Sequence, residues 1–140
     1  TAPAIPNKVE NLTHTFEGCS SLVKMPNIPQ SVNEMDSTFA DCTALVTLST
    51  LPDNVLWLNE TFKNCVSLTT APNIPQMVEE IEEMFSGCKS LKGEITFNTN
   101  SLTNITNCFK DTEQAIIITG SSTKLAELAA TANNGNVTVK

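Results

Sequence analysis

The side chains best able to do chemistry in this sequence are one histidine, five cysteines and a group of glutamates. General acid–base and nucleophilic catalysis need several such groups that converge on one point. His14 is the single histidine, the sequence has no tyrosine, and it contains no Gly-rich phosphate loop. We therefore predict that the chain is not an enzyme and binds no cofactor.

The cysteines are spaced neither for zinc nor for a compact disulfide framework. Zinc ligands occur in pairs about two to four residues apart, with histidine or further cysteine nearby. Even the closest pair here, Cys88 and Cys108, lies far outside that spacing. We expect Cys19, Cys42, Cys65 and Cys88 to stack as a ladder of small buried hydrophobic side chains. No metal site is predicted.

The glutamates Glu79, Glu80, Glu82 and Glu83 form the densest acidic group in the chain. One interpretation is a calcium site, because Ca²⁺ takes clustered oxygen ligands. The other, which we favour, is the first turn of a helix, where the helix dipole stabilises acidic side chains without any ligand. The group also lacks the Asp, Asn and Gly pattern of a calcium loop.

The elements that position these residues follow a repeat of fixed length. Residues 19–41 and 65–87 are each one repeat long and share 11 of 23 positions, which is too many for chance. The repeated columns are Phe16, Phe39, Phe62 and Phe85; Cys19, Cys42, Cys65 and Cys88; Leu22, Leu45, Leu68 and Leu91; and Val9, Val32, Val55 and Val78. In the next unit the register slips by one, because Phe109 stands one position later than the period from Phe85 requires. Such a period is typical of a solenoid, in which each unit buries its apolar face against the next.

Each repeat divides into two halves with different patterns. From Val32 to Cys42 the apolar residues are three or four apart, which predicts a short helix with one buried stripe. Ser31 and Glu34 have the capping-box spacing that begins such a helix. The half from Leu22 to Ile28 contains a proline and is too short for a helix, so we expect a brief strand there.

These columns resemble a known family of repeats. A run of Phe-x-x-Cys-x-x-Leu, then Ile-Pro-x-x-Val-x-x-Met/Ile, then Phe is similar to the BspA-like leucine-rich repeats of bacterial surface and secreted proteins. The resemblance covers residues 1 to about 112. It implies an α/β solenoid with short parallel strands on one face and short helices on the other. It also implies an extracellular or cell-surface location and a role in adhesion or protein–protein interaction.

The last part of the chain departs from the repeat. Residues 115–119 are β-branched and apolar, Ser122 or Thr123 can cap a helix through Leu128, and residues 137–139 form a further strand pattern. We expect this strand–helix–strand segment to cover the last apolar coil as a cap. The predicted organisation is therefore a repeat array over residues 1–112 and a capping segment over residues 113–140 of the same domain. Because Thr1 falls in the middle of a repeat, we also expect the chain to be a C-terminal portion of a longer protein.

Three large apolar residues stand in columns that are polar in every other repeat. Trp57, the only tryptophan, shares a column with Asn11, Glu34 and Glu80. Leu56 and Met77 interrupt two neighbouring polar columns in the same way. Exposed apolar clusters often mark contact surfaces, and tryptophan is enriched at binding hot spots. Leu56, Trp57 and Met77 are therefore the candidate partner-binding residues, and the alternative is that Trp57 folds back over its own coil.

Composition narrows the class of partner. The net charge is −7, and the eight basic residues are all lysine. Nucleic-acid binding proteins use clustered Lys and Arg, so we exclude nucleic acid as a partner. No apolar run is long enough to span a membrane. The strand face, which lies opposite the predicted helices, is small and neutral. The residues expected to be exposed on it are Lys24, Pro26, Thr47, Ser49, Thr70 and Pro72.

The leading hypothesis is a non-enzymatic leucine-rich-repeat binding module of a bacterial surface or secreted protein. Its partner would be a protein or cell-surface ligand. The alternative is a structural spacer or docking module of a larger assembly, such as a phage tail or a cell-wall complex. In that case the stack of repeats serves as a spacer, and the apolar cluster docks it to another part of the assembly.

Overall fold

The computed structural model describes residues 2–140 as a stack of coils, one for each sequence repeat, in which each coil lies against the next. Three short strands and one helix are regular: β1 (Gly93–Thr96), β2 (Ile116–Thr119), α1 (Leu125–Ala130) and β3 (Val137–Val139). The strands form one parallel sheet in the order β1-β2-β3, with Gly93 opposite Ile116 and Ile116 opposite Val137. Within residues 2–140, no helix has the length and apolarity needed to cross a bilayer.

Earlier coils pair through isolated parallel bridges on two faces. On one face the bridged column is Asn11, Glu34, Trp57, Glu80 and Asn104. On the other face Lys24 pairs with Thr47, in the column that continues into β1 at Gly93. Within the described residues, the strand half predicted for each repeat is present before β1 only as the Lys24–Thr47 bridge, and it becomes a regular sheet towards the C-terminal end. The longer bridged column lies in the half that was predicted to be helical.

The predicted helices of the repeats are absent from residues 2–140, and this part of the predicted fold class was wrong. Each coil instead runs through a series of turns after its bridged residue. Two residues per coil have a left-handed backbone, four positions apart, as Ser37 (φ 52) and Asp41 (φ 60) show. An α-helix does not tolerate left-handed residues at that spacing.

The hydrogen bonds of the turns show what replaces the helix. Leu12, Phe16 and Gly18 donate their backbone N–H groups to carbonyls of the next coil, at 2.8–2.9 Å. Thr15 and Glu17 lie between them and donate to residues three positions earlier in their own coil. Donors therefore point alternately along the coil and across to its neighbour. The capping box is not formed either, because the Ser31 hydroxyl donates to the Val9 carbonyl at 2.6 Å.

The apolar columns predicted from the repeat do form the core. Val32, Met35, Phe39, Cys42 and Leu45 are fully buried, as are their equivalents in the next two coils. The phenylalanine column is a continuous stack from Phe16 to Phe109, with ring centroids 5.4–6.0 Å apart and rings within 14° of parallel. Phe109 stacks on Phe85, which confirms the predicted slip of one position.

The strand, helix and strand predicted after residue 114 appear in that order as β2, α1 and β3. The helix begins at Leu125, after Lys124, and neither Ser122 nor Thr123 caps it. The Ser122 hydroxyl instead accepts the backbone N–H of Lys124 at 3.2 Å, just before the helix begins. Leu128 and Val137 from this segment join the buried core.

Candidate functional site

His14, the only histidine, lies on an exposed turn. Its side chain is 61% exposed, and its Nδ1 pairs with the Glu17 carboxylate three residues later. The backbone of His14 is left-handed (φ 59), so the residue occupies a turn position shared with Ser37, Glu60 and Glu83. Across residues 2–140, no three His, Cys, Asp or Glu side chains are placed to hold a metal ion together.

The cysteine column is structural in three of its four positions. Cys42, Cys65 and Cys88 are buried, and each thiol donates to the carbonyl of a phenylalanine in the preceding coil, at 3.0–3.2 Å. Burial raises the pKa of Cys42 to about 11 and that of Cys88 to about 12, which keeps both thiols neutral. Cys19 is exposed, contrary to the prediction. It lies in the first coil, and within the described residues a neighbouring coil packs against that coil on one side only.

The acidic group Glu79 to Glu83 does not begin a helix, because Glu83 has a left-handed backbone (φ 51). The carboxylates also separate. Glu83 pairs with Lys63, whereas Glu80 and Glu82 accept side-chain amides from Asn59 and Asn104, each at 2.9 Å. The group is therefore divided between a turn and a bridged strand position.

Trp57 lies in the bridged column, between Glu34 and Glu80. This places it on a strand-like face, and not on the helical side where the sequence had placed it. Trp57 and Leu56 are both partly exposed, and the Leu56 carbonyl accepts the backbone N–H groups of Glu79 and Glu80 at 2.8 and 3.3 Å. Two consecutive side chains in this coil therefore leave part of their surface to solvent.

Met77 belongs to the next coil and is 53% exposed. It lies two residues before Glu79, the residue that bonds to the Leu56 carbonyl. Leu56, Trp57 and Met77 thus occupy adjacent coils within a few positions of one another. We call these three residues the tryptophan surface.

The other bridged face is less neutral than the sequence had indicated. Val23 and Val46 are 56% and 42% exposed, and they stand beside the Lys24–Thr47 bridge. Of the residues expected on this face, Lys24, Thr47 and Thr70 are exposed, whereas Pro72 is buried. The sequence did contain a sign that these two valines are exposed. The equivalent positions in the next two repeats are occupied by polar residues, Thr69 and Lys92.

Two open cavities lie along this second face. One, of about 680 Å³, is lined by residues between Ala2 and Pro29, and the other, of about 560 Å³, by residues between Val46 and Asn73. Their lining is mostly apolar, with hydroxyl and amide side chains, and Lys24 is the only ionisable side chain among the lining residues. Neither cavity includes the tryptophan surface or a set of groups that could act as acid and base.

The comparison with known proteins agrees with this architecture. Residues 2–114 and 58–134 match the BspA type leucine rich repeat region, in 6 copies. The fold is similar to the crystal structure of a leucine rich repeat protein of Treponema pallidum, with a TM-score of 0.67 and 28% sequence identity. That similarity covers 81% of this chain and 56% of the T. pallidum chain, so this chain spans little more than half of that protein's length. No curated protein sequence matches the chain.

The family model covers most of the chain. The resemblance inferred from the Phe, Cys, Leu and Ile-Pro columns is confirmed. The protein belongs to the BspA type leucine rich repeat family.

Proposed function

We propose that this chain is a non-enzymatic binding module of a bacterial surface or secreted protein, and that it acts in adhesion by contacting another protein. Membership of the leucine-rich-repeat family supports a protein–protein interaction module. Adhesion and a surface or extracellular location are the finer part of the proposal. Residues 1–112 serve as the array, and residues 113–140 cover its last coil.

The observation that carries the proposal is the partly exposed Trp57 in an otherwise polar column. A partly exposed tryptophan offers a rigid apolar area for contact at low entropic cost, and tryptophan is enriched among the residues that dominate binding energy at interfaces. Leu56 and the exposed Met77 extend this area over two coils. The tryptophan surface is the proposed contact site.

The proposal is tested by binding of the chain to a panel of purified extracellular-matrix proteins. We expect saturable binding to at least one of them, with affinity at least tenfold lower for Trp57→Ser, about the loss typical of a central interface residue. Val46→Ser is the matched control, because it removes an exposed apolar side chain from the opposite face. Thermal unfolding of each variant shows whether it remains folded.

Two results would overturn the proposal. If no protein in the panel binds, the adhesive role is wrong and the spacer alternative takes its place. If a protein binds but Val46→Ser weakens it and Trp57→Ser does not, the module binds through its other face.

A further inference from the structure

The carboxylates around the tryptophan surface lack cationic partners. Glu34 and Glu80 flank Trp57 in the bridged column, and Glu79 lies beside Leu56. In residues 2–140 none of these three forms an ion pair with a lysine. On the turn side of the same coils the carboxylates do have a cationic partner, because Lys63 contacts both Glu60 and Glu83.

Asparagine amides hold the two flanking carboxylates in place. Asn11 donates its Nδ2 to Glu34 Oε2, and Asn59 donates to Glu80 Oε2 at 2.9 Å. An amide donor fixes one carboxylate oxygen without neutralising the charge. The second oxygen of each carboxylate has no hydrogen-bond partner among the described residues. Each group therefore keeps a charged acceptor available to a partner.

The charges of Glu34 and Glu80 also act on a third carboxylate of this face, Asp36. Burial raises the pKa of Asp36, and the charges of Glu80 and Glu34 raise it further, against the lowering effect of hydrogen bonds from Asn59. The face thus carries a concentrated negative potential with an apolar centre. A potential of this kind attracts cations and repels anionic surfaces.

A free metal ion does not fit this arrangement. Calcium needs about six to eight oxygen ligands around one point, but Glu34 and Glu80 lie in coils on opposite sides of the Trp57 coil. A side chain that combines a cation with an apolar stem fits better. Lysine and arginine have that shape, since their methylene chains pack on apolar groups while the charged end stays near water or a carboxylate.

We propose that the tryptophan surface binds a basic segment of the partner protein, with Lys or Arg side chains placed over the Trp57 indole between Glu34 and Glu80. This inference rests on the proposed function and names the chemistry of its partner. The stems of the basic side chains contact Leu56 and Met77. The cation interacts with the face of the indole and with the free carboxylate oxygens.

The test uses Trp57 as its own reporter, because it is the only tryptophan in the chain. A short end-blocked peptide of lysine, leucine and serine is titrated into the protein while the tryptophan fluorescence is followed. The matched peptide has glutamate in place of every lysine. We expect the lysine peptide to change the fluorescence saturably, with affinity falling as salt is added, and the glutamate peptide to have no effect.

The charge requirement is tested by the double variant Glu34→Gln with Glu80→Gln. Glutamine keeps an oxygen acceptor for Asn11 and Asn59 while it removes both charges. We expect the lysine peptide to bind about fivefold or more weakly, since each exposed pair contributes modestly. The control is Glu113→Gln with Glu127→Gln, two exposed carboxylates in the C-terminal segment, which makes the same change in net charge.

The outcomes separate this inference from the proposed function. Equal weakening in the control double variant, or absence of lysine-peptide binding, would overturn the basic-segment inference. If a matrix protein loses affinity for Trp57→Ser but binds the Glu34→Gln, Glu80→Gln variant like wild type, the partner is not basic and the proposed function stands. If neither variant affects that protein, both proposals fail.

Discussion

At the scale of single residues, Gly87 combines a left-handed backbone with a close neighbour. Its φ is +75°, and a Cβ placed on it would overlap the side-chain oxygen of Asn64. That side chain donates to Asp41 at 2.8 Å, so a methyl group at position 87 would displace it. Gly18 has nearly the same φ, +71°, but apart from its chain neighbours no described residue has an atom within 4 Å of its Cβ position.

These two glycines give a matched pair of substitutions. We expect Gly18→Ala to lower the free energy of unfolding by about 1–2 kcal/mol, the cost of a left-handed alanine. Gly87→Ala should cost about 1 kcal/mol more, because the Asn64–Asp41 hydrogen bond is lost as well. Urea unfolding measures both. Equal losses would show that the Asn64 side chain moves aside freely.

The buried thiols make stability depend on alkaline pH. Burial raises the pKa of Cys88 from 9.0 to about 12 in the folded chain. Below pH 9 the thiol keeps its proton in both the folded and the unfolded chain, and its contribution to stability is fully present. As pH rises from 9 towards 12 the unfolded chain releases this proton first, so the contribution is lost. At pH 10 this loss is about 1.4 kcal/mol for the one thiol.

Cys88→Ala removes that titration. We therefore expect the difference in free energy of unfolding between the wild type and Cys88→Ala to shrink by about 1.4 kcal/mol between pH 8 and pH 10. Denaturant titrations at the two pH values measure it. A difference that stays constant would mean that the Cys88 thiol ionises as easily in the folded chain as in the unfolded one.

At the scale of elements, the phenylalanine stack ties the coils together. Phe62 is fully buried between Phe39 and Phe85, with ring centroids 5.9 and 6.0 Å away. Among residues 2–140, Phe16 stacks on one ring only, Phe39, at 5.4 Å, and is 8% exposed. An interior ring therefore has contacts on both faces, whereas Phe16 has them on one.

Truncation should show this asymmetry. We expect Phe62→Ala to cost about 3–5 kcal/mol, as for other large core truncations, and Phe16→Ala clearly less, about 2 kcal/mol. Phe62→Leu, which keeps most of the volume, should cost below about 1.5 kcal/mol. The measurement is equilibrium unfolding of the three variants. If Phe16→Ala is as costly as Phe62→Ala, contacts on the second face of an interior ring do not add to stability.

The turn structure of the coils has a direct spectroscopic consequence. The only helix in residues 2–140 is α1, with 6 residues. We expect a far-ultraviolet circular dichroism spectrum without the strong long-wavelength minimum of a helical protein. A leucine-rich repeat with one short helix per coil would show that minimum. A strong long-wavelength minimum would contradict the conclusion that the coils consist of turns.

The sequence predicts the core of these elements better than their backbone. The repeat period identifies the buried Val, Met, Phe, Cys and Leu columns, because burial depends on which side chains are apolar and how they recur. It does not distinguish a helix from a series of turns with the same apolar spacing. The column of Gly18, Asp41, Asn64 and Gly87 was a usable signal, since these residue types adopt left-handed conformations most readily. Glu60 and Glu83 gave no such signal.

At the scale of the whole molecule, the two bridged faces differ in what they offer a partner. One has the tryptophan surface among unpaired carboxylates, and the other has Val23 and Val46 beside two open cavities. The sequence predicted the first from three breaks in polar columns. It could not predict that Trp57 lies in a bridged column, or that asparagines hold its acidic neighbours, because both depend on how coils align.

The most direct test of the account is hydrogen–deuterium exchange of the chain, alone and saturated with a matrix protein that it binds. We predict that binding slows exchange in residues 54–59 and 77–82, which include the tryptophan surface, and leaves residues 23–27 and 46–50 unchanged. Slower exchange confined to residues 23–27 and 46–50 would place the contact on the other face. That result would contradict the central claim that the tryptophan surface is the binding site.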